Sequence, residues 1–310
     1  MGPTASGKTD LAVELREALG GELISVDSAL VYRGMDVGTA KPDAQVLRRA
    51  PHRLIDICDP AESYSAADFC SDARAAMAEI AANDRVPILV GGTMMYFNAL
   101  VQGMASMPPA DPTVRERREM RLETEGPQAL HHELARVDRE AAERMHPNNR
   151  QRLIRALEVH ELTGKPISAF WTHAGVEPDQ ALADFPYRVT PLALSPGDRK
   201  FLHERIRVRF HSMREQGFIE EVRALRARGD LSPELPSMRC VGYRQIWDYL
   251  EGKTGYTEMI ERGLAATRQL AKRQLTWLRR WKQAQWLDTA EQVPVDAALK
   301  ILDGTATFKP

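Results

Sequence analysis

The segment GPTASGKT, residues Gly2–Thr9, decides which fold the rest of the chain must supply. It fills the pattern G-x-x-x-x-G-K-[ST] of a P-loop, whose glycines let successive backbone N–H groups point at phosphate oxygens. Lys8 adds a positive charge, and the hydroxyl of Thr9 is expected to hold a magnesium ion. The residues expected to bind a diphosphate are Gly2, Pro3, Thr4, Ala5, Ser6, Gly7, Lys8 and Thr9. The motif indicates phosphate binding and leaves open which molecule carries the phosphates.

The residues after the loop provide the context that a P-loop requires. Leucines recur at helical spacing at Leu11, Leu15 and Leu19. Gly20 ends this helix, and Glu22–Val26 is typical of a short buried strand. The loop therefore opens a helix, whose N-terminal dipole favours anions.

The strand that usually precedes a P-loop is not present in this sequence. Only Met1 stands before Gly2. Without such a strand, a parallel sheet would lose a central member and expose the edges of its neighbours. We therefore expect that further residues precede Met1 in the native protein.

The composition is that of a globular protein. Of the 310 residues, 43% are hydrophobic and 27% are charged, and the formal net charge of −1 argues against a generally basic nucleic-acid-binding protein. No apolar run is long enough to span a bilayer, so no membrane partner is expected. The three cysteines show neither a disulfide framework nor zinc spacing. The cysteine pattern favours the reducing cytoplasm. We also expect a monomer.

The order of predicted elements indicates an α/β fold. Strands are predicted at Glu22–Val26, His52–Ile57 and Val86–Thr93, and a helix with a serine cap at Ser65–Asn83. This alternation is typical of a mostly parallel, doubly wound sheet. Residues 105–186 are predicted to be an all-helical insertion, and further strands are predicted after it at Tyr187–Ser195 and Ala284–Asp288, where the α/β domain resumes. The predicted α/β core is therefore residues 1–104 and 187–310.

Two polar residues follow predicted strands of this sheet. Asp27 comes directly after Glu22–Val26, and Thr93 ends the strand at Val86–Thr93. Ligands in open α/β sheets bind beyond the carboxyl ends of the strands, which places both residues beside the P-loop. The carboxylate of Asp27 can accept a proton from a substrate or hold a metal through water. It can equally cap a local helix, and its position beside a P-loop favours a function.

A basic stripe lies near the C-terminus. Three cations share one helical face: Arg268, Lys272 and Arg279. The apolar residues Leu264, Ala271, Leu278 and Trp281 mark another face. Taken alone, this pattern favours a solvated amphipathic helix.

Five motifs carry a resemblance to a known family. In chain order they are GPTASGKT, SVDSALVYRGMDVGTAKP, VGGTMMY, NNRQRLIRALEV and MRCVGYRQ. Together they resemble the bacterial tRNA dimethylallyltransferases, also called tRNA isopentenyltransferases, over essentially the whole chain. The resemblance implies a P-loop NTPase-like α/β fold with a mostly parallel sheet and an inserted all-helical domain that contacts the tRNA anticodon region. It also implies transfer of a dimethylallyl group from dimethylallyl diphosphate to N6 of the adenosine at position 37, next to the anticodon, with release of diphosphate.

The resemblance assigns roles to residues of this chain. Asp27 would be the general base, with Thr9, Lys8 and Thr93 also catalytic, and Mg²⁺ would be held partly by Thr9. One of the arginines of the segment RCVGYR, Arg239 or Arg244, would assist the leaving diphosphate. The residues that would contact tRNA are Asp27, Ser28, Ala29, Leu30, Thr93, Arg115, Gln151, Arg152, Leu153, Ile154, Arg155, Arg239, Cys240, Val241, Gly242, Tyr243 and Arg244. In this context the basic stripe also becomes a plausible contact for the tRNA backbone.

Other functions fit a P-loop as well. A kinase of a small metabolite would use Asp27 as the base toward a hydroxyl and would consume ATP without RNA. An RNA-binding P-loop protein would use nucleotide as a switch and would form no covalent product. A related transferase would prenylate a free adenine nucleotide, although the helical insertion favours a tRNA acceptor. Prenyl transfer itself requires no ATP.

Overall fold

The computed structural model describes residues 1–103, 107–171 and 177–305. The chain divides into two compact units. The first contains Met1–Gln102 and Glu177–Pro310, and the second contains Gly103–Val176. Residue 105, where the helical insertion was predicted to begin, lies outside the described residues.

The strands of the first unit pair in parallel. Strands β1 (Glu22–Val26), β2 (His52–Arg53) and β3 (Pro87–Gly91) form one sheet in the order β2-β1-β3. Strands β4 (Leu192–Leu194) and β5 (Gln285–Leu287) form a second sheet. All three pairings are parallel, which confirms the prediction of an α/β fold with a parallel sheet.

Strand β2 is shorter than the sequence predicts. The apolar pattern of residues 52–57 predicts a strand over the whole segment, whereas pairing stops at Arg53. The backbone of Leu54 has φ 64° and that of Asp56 has φ 57°. Both values lie in the left-handed region, which an extended strand cannot contain.

The first residue of the chain lies beside β4. The amino group of Met1 donates a hydrogen bond of 2.8 Å to the carbonyl oxygen of Leu192. The N–H of Leu194 donates to the carbonyl oxygen of Met1, also at 2.8 Å. The P-loop therefore starts next to the β4 backbone.

Thirteen α-helices are present in the described part of the chain. In chain order they are α1 (Lys8–Leu19), α2 (Ala44–Arg49), α3 (Ala66–Ala82), α4 (Met94–Gln102), α5 (Pro112–Val137), α6 (Arg139–Arg144), α7 (Arg150–Thr163), α8 (Pro178–Ala183), α9 (Arg199–Glu215), α10 (Phe218–Ala227), α11 (Tyr243–Leu250), α12 (Tyr256–Leu278) and α13 (Val295–Thr305). None of those helices is both long and apolar enough to cross a membrane.

Local signals explain where the predicted helices begin and end. Helix α1 follows Gly7, which has φ 79°, and stops at Gly20, which has φ 63°. Helix α3 begins with a capping box, because Ser65 Oγ accepts from the N–H of Asp68 and the Asp68 carboxylate accepts from the N–H of Ser65. These ends confirm the predicted helices. The core around β1 then consists of α3, α4 and the end of α12.

The described residues of the second unit form helices and connecting loops, with no strand among them. Helix α5 is broken at Gly126, whose φ of 82° interrupts the helical backbone. Helix α7 packs against α5 through apolar residues of one core: Leu122, Leu130, Leu134, Leu153, Ile154 and Leu157. Gly164 ends α7 with φ 67°, as the sequence predicts.

The predicted insertion and the second unit end at different residues. The sequence predicts that the insertion runs to residue 186, whereas the second unit ends at Val176. The difference arises because α8 packs against α4, and Leu182 and Phe185 lie against the core of the first unit. The helix at Pro178–Ala183 therefore belongs to that core.

Candidate active site

A cavity of about 560 Å³ opens at the carboxyl ends of β1 and β3 in the first unit. It brings together residues that lie far apart in the sequence. The predicted site residues that line it are Thr4, Ala5, Lys8, Thr9, Asp27, Ser28, Ala29, Leu30, Thr93, Arg239, Cys240, Val241 and Tyr243. Four separate motifs therefore meet in one cavity.

The P-loop has the backbone of a phosphate cradle. A Cβ at Gly2 would lie 2.5 Å from the carbonyl oxygen of Leu194, so that position excludes a side chain. Ala5 has φ 62°, and the turn closes at Gly7 with a second positive φ. The hydroxyl of Ser6 is buried and has no hydrogen-bond partner among the described residues. The loop thus exposes backbone N–H groups at the start of α1, as anion binding requires.

The P-loop residues do not all face the same space. Gly2 and Pro3, the first two residues of the loop, are buried. Ser6 and Gly7 line an adjoining cavity of about 620 Å³. Lys8 and Thr9 line both cavities, which places the ammonium and the hydroxyl at the junction between them.

Lys8 is held by the loop itself. Its Nζ donates a hydrogen bond of 2.6 Å to the carbonyl oxygen of Pro3. Burial lowers the pKa of Lys8 to about 8; the positive charge of Arg209 lowers it further, and the carboxylate of Asp27 opposes the shift. A bound diphosphate would favour the charged form.

Arg209 is a cavity residue that the sequence interpretation missed. It lies on α9, lines the same two cavities as Lys8, and donates a hydrogen bond of 3.4 Å to the carbonyl oxygen of Thr39. Burial lowers the pKa of Arg209, and the carboxylates of Asp27 and Asp10 oppose this. One signal was available, because Arg209 follows the buried Leu202 by seven residues and so occupies the inner face of α9.

The carboxylate of Asp27 is oriented by the turn that follows β1. Its Oδ1 accepts hydrogen bonds from the N–H groups of Ala29 at 2.9 Å and Leu30 at 3.3 Å. A turn follows, not a helix, so the local role is to fix the turn. These two bonds use Oδ1 and leave Oδ2 outside them.

Thr93 connects the ends of two strands. Its Oγ1 accepts a hydrogen bond of 3.0 Å from the N–H of Ser28 and donates one of 3.3 Å to the Ser28 hydroxyl. Since Ser28 follows Asp27, the threonine and the carboxylate share one corner of the cavity.

Gln274 on α12 is a second residue that sequence interpretation missed. Its Oε1 accepts from the N–H of Thr4 at 2.8 Å, and its Nε2 donates to the carbonyl oxygen of Gly92 at 2.9 Å. A Cβ at Gly92 would lie 2.5 Å from that amide nitrogen. One side chain therefore connects the P-loop to the end of β3.

The segment from Arg239 to Arg244 meets the cavity in part. Burial raises the pKa of Cys240 to about 12, and the Asp27 carboxylate adds to this rise, so the thiol stays neutral beside the carboxylate. Arg239 pairs with Glu234 at 2.6 Å. Gly242 and Arg244 are not among the residues that line the cavity, and Arg244 is exposed.

The predicted tRNA contacts of the second unit have different surroundings. Gln151 and Arg152 are exposed on α7. Leu153 and Ile154 are 0% and 6% exposed in the core of that unit, so their side chains offer no surface to tRNA. The four residues 151–154 span a full helical turn, so they cannot all face solvent. Leu153 and Ile154 are the two that lie on the inner face of α7.

The two remaining arginines of this set share one buried carboxylate. Glu158, whose side chain is fully buried, accepts from Arg115 Nε at 3.1 Å and from a terminal nitrogen of Arg155 at 2.6 Å. It also accepts from the N–H of Asp111 at 2.7 Å. Arg155 also donates a hydrogen bond of 2.5 Å to the carbonyl oxygen of Pro108. Glu158 thus holds both arginines and the start of α5.

The donor set for a metal ion is sparse. Across the ranges 1–103, 107–171 and 177–305, no cluster of three or more His, Cys, Asp or Glu side chains could hold a cation. The cavity offers isolated oxygen donors, such as the hydroxyl of Thr9 and the carboxylate of Asp27. Mg²⁺ commonly takes one or two protein oxygens and completes its shell with substrate phosphates and water, which this set fits.

The names of similar proteins agree with the geometry of this site. A tRNA dimethylallyltransferase from Chromohalobacter salexigens is 59% identical over 307 residues, which cover 99% of this chain and 96% of that protein. The solved tRNA isopentenylpyrophosphate transferase from Bacillus halodurans is 38% identical with a TM-score of 0.70, covering 98% of this chain and 93% of that one. Its counterpart from Staphylococcus epidermidis is 30% identical, also with a TM-score of 0.70, covering 99% and 98%.

Two further comparisons place the fold and the family. A eukaryotic dimethylallyltransferase acting on tRNA has a TM-score of 0.77 at 24% identity, covering 100% of this chain and 79% of that one, so it supports the fold alone. A sequence model of the family described as IPP transferase matches residues 30–281. Together with the 59% identity along nearly the full length, this match shows that the chain belongs to the IPP transferase family.

Proposed function

We propose that this chain transfers the dimethylallyl group from dimethylallyl diphosphate to N6 of the adenosine at position 37 of tRNA and releases diphosphate. One observation carries the proposal. A phosphate cradle with Lys8 and Arg209 lies in the same cavity as the carboxylate of Asp27, at the carboxyl ends of two parallel strands. The cavity therefore holds groups for both halves of a transfer reaction.

The cradle serves the leaving group. When the allylic carbon–oxygen bond breaks, negative charge develops on the diphosphate. The backbone N–H groups of the P-loop, the Lys8 ammonium and the Arg209 guanidinium stabilise that charge. We assign the assisting arginine as Arg209 because it lies in the cavity wall beside Lys8, whereas Arg239 is paired with Glu234.

Asp27 and Thr93 serve the acceptor. As the new N6–carbon bond forms, the adenine amine loses a proton, and the carboxylate of Asp27 accepts it. The hydrogen bonds from Ala29 and Leu30 hold Oδ1 in place, so Oδ2 is the oxygen that faces a bound base. The hydroxyl of Thr93 lies close enough to this corner to orient the base. The target nucleotide must leave its stack to enter the cavity.

The group that the family implies beside the diphosphate is a divalent cation, and we propose Mg²⁺. The hydroxyl of Thr9 and the oxygens of the bound diphosphate would hold it. The ion supplies positive charge that stabilises the departing diphosphate.

Contacts with tRNA outside the cavity are assigned to exposed polar groups. Gln151 can bond to a base edge, and Arg152 can bind phosphate or stack on a base. Arg115 and Arg155 present the donors that Glu158 leaves unused. We also assign the second unit to contacts with the anticodon region, and the reaction to the cytoplasm.

The test is a transfer assay. The protein is incubated with Mg²⁺, radiolabelled dimethylallyl diphosphate and unmodified tRNA, and the digested nucleosides are analysed. Label on N6 of the adenosine beside the anticodon, without added ATP, is the expected result. No transfer, with ATP hydrolysis or phosphorylation of a small molecule in its place, would contradict the proposal and indicate a kinase.

A further inference from the structure

One carboxylate outside the cavity holds a loop that forms part of the cavity wall. Glu221 on α10 accepts hydrogen bonds from three successive backbone N–H groups, those of Asp36 at 2.9 Å, Val37 at 2.6 Å and Gly38 at 3.1 Å. Tyr243 donates its hydroxyl to the same carboxylate at 2.5 Å. Glu221 itself is not among the residues that line the cavity. Its contacts are therefore with the outer side of the wall.

Close packing leaves this loop little freedom. A Cβ at Gly38 would overlap the ring of Phe218, which stands one turn before Glu221 on α10. A Cβ at Gly242 would lie 2.7 Å from the same ring. The rings of Phe218 and Tyr243 meet edge to face with their centroids 4.9 Å apart. The loop, α10 and the start of α11 are thus one interlocked group.

The inner side of the same loop faces the candidate reaction centre. Gly38, Thr39 and Ala40 line the cavity. The carbonyl oxygen of Thr39 accepts the hydrogen bond from Arg209, whose charge interacts with Asp27 and Lys8. The position of the loop therefore affects where the Arg209 guanidinium points.

We propose that Glu221 is a positioning residue for diphosphate binding: it holds residues 36–38 so that the neighbouring Thr39 carbonyl orients Arg209 toward the P-loop. This inference rests on the proposed function, because it takes Arg209 as a ligand of the diphosphate. A carboxylate suits the task since it is acceptor-only and can receive four donors at once. An amide at this position would turn N–H groups toward backbone N–H groups.

The experiment measures donor binding directly, by calorimetric titration of the full chain with dimethylallyl diphosphate and Mg²⁺. In Glu221→Gln we expect the Kd for dimethylallyl diphosphate to rise about tenfold, because the substitution removes charge-assisted hydrogen bonds. Tyr243→Phe removes one donor and keeps the ring, so its Kd should rise less, in the same direction. Glu220→Gln is the matched control, because that neighbour on α10 is 65% exposed and pairs with Arg223. Its Kd should stay at the wild-type value.

A double-mutant cycle separates positioning from general damage to the fold. Arg209→Lys keeps a positive charge and loses the planar fork of the guanidinium. If Glu221 acts through Arg209, then Glu221→Gln raises the Kd much less in the Arg209→Lys background than in the wild type. An equal rise in both backgrounds, or no rise in either, would overturn the inference.

Two further outcomes remain informative. If circular dichroism shows that Glu221→Gln does not fold, the same cycle is run with Tyr243→Phe, whose unchanged Kd would refute the inference. If the wild type itself binds no dimethylallyl diphosphate, the proposed function fails first. The two failures are therefore distinguishable.

Discussion

At the scale of single residues, the proposed chemistry depends on where the Asp27 carboxylate holds Oδ2. We expect Asp27→Ala to leave the Kd for dimethylallyl diphosphate nearly unchanged and to lower kcat by ~10²-fold or more, because it removes the proposed proton acceptor. Steady-state transfer kinetics measure kcat, and titration with dimethylallyl diphosphate measures the Kd. Asp296→Ala, an exposed aspartate in the first turn of α13, is the control. Unchanged turnover in the Asp27 variant would remove this residue from the mechanism.

Lys8 leads to a pH prediction, also at the residue scale. Its pKa of about 8 means that the ammonium loses its proton above that pH, so the affinity for dimethylallyl diphosphate should fall as pH rises. The pKa of Lys8 in the folded protein lies below its ordinary value of 10.5, so between about pH 8 and that value the unfolded chain binds more protons than the folded chain. The contribution of Lys8 to the free energy of unfolding therefore rises with pH in this range. The loss of affinity is therefore not unfolding caused by Lys8.

The measurement for Lys8 is donor titration at several values between about pH 7 and about pH 9. In Lys8→Met the affinity for dimethylallyl diphosphate should be low over the whole pH range, and it should not show the fall with rising pH that Lys8 causes. A fall of the same size in that variant would assign the titration to another group.

At the scale of elements, Gln274 connects α12 to the P-loop and to the end of β3. Gln274→Ala leaves the N–H of Thr4 and the carbonyl of Gly92 without their partners. We expect a loss of about 1–3 kcal/mol in the free energy of unfolding, the usual cost of an unsatisfied buried polar group, and weaker donor binding. Urea unfolding and calorimetry measure these changes. Gln269→Ala on the exposed side of α12 should change neither.

Helix α7 depends on its buried carboxylate. Glu158→Gln would face Arg115, Arg155 and the Asp111 N–H with a neutral amide, which leaves two guanidinium groups without their counter-charge. Breaking a buried ion pair typically costs about 3–5 kcal/mol, so the melting temperature should fall markedly. Thermal unfolding followed by circular dichroism tests this. Glu116→Gln on the exposed side of α5 should melt like the wild type, and a Glu158→Gln variant that did so too would contradict the role.

At the scale of the whole molecule, a chain of net charge −1 must bind tRNA through local groups. Lys272 and Arg279 are exposed, whereas Ala271 and Leu278 of the apolar face are buried. We expect Lys272→Glu to weaken tRNA binding and to reduce its salt dependence, while donor binding stays unchanged. Filter binding across a salt series measures both. Lys300→Glu, on α13, is the control, and an equal loss there would indicate a general charge effect.

The sequence by itself determined the P-loop, the parallel order of strands, and the placement of Asp27 and Thr93 beyond strand ends. These follow from local patterns, in which glycines, helical spacing and buried runs act over a few residues. Only the tertiary structure showed Arg209 and Gln274 in the cavity wall and Glu221 behind it. Each reaches its partner across a long stretch of chain, 170 residues from Arg209 to Thr39 and 270 from Gln274 to Thr4. No local pattern encodes such contacts, because they depend on how α9, α10 and α12 pack against the sheet and its loops.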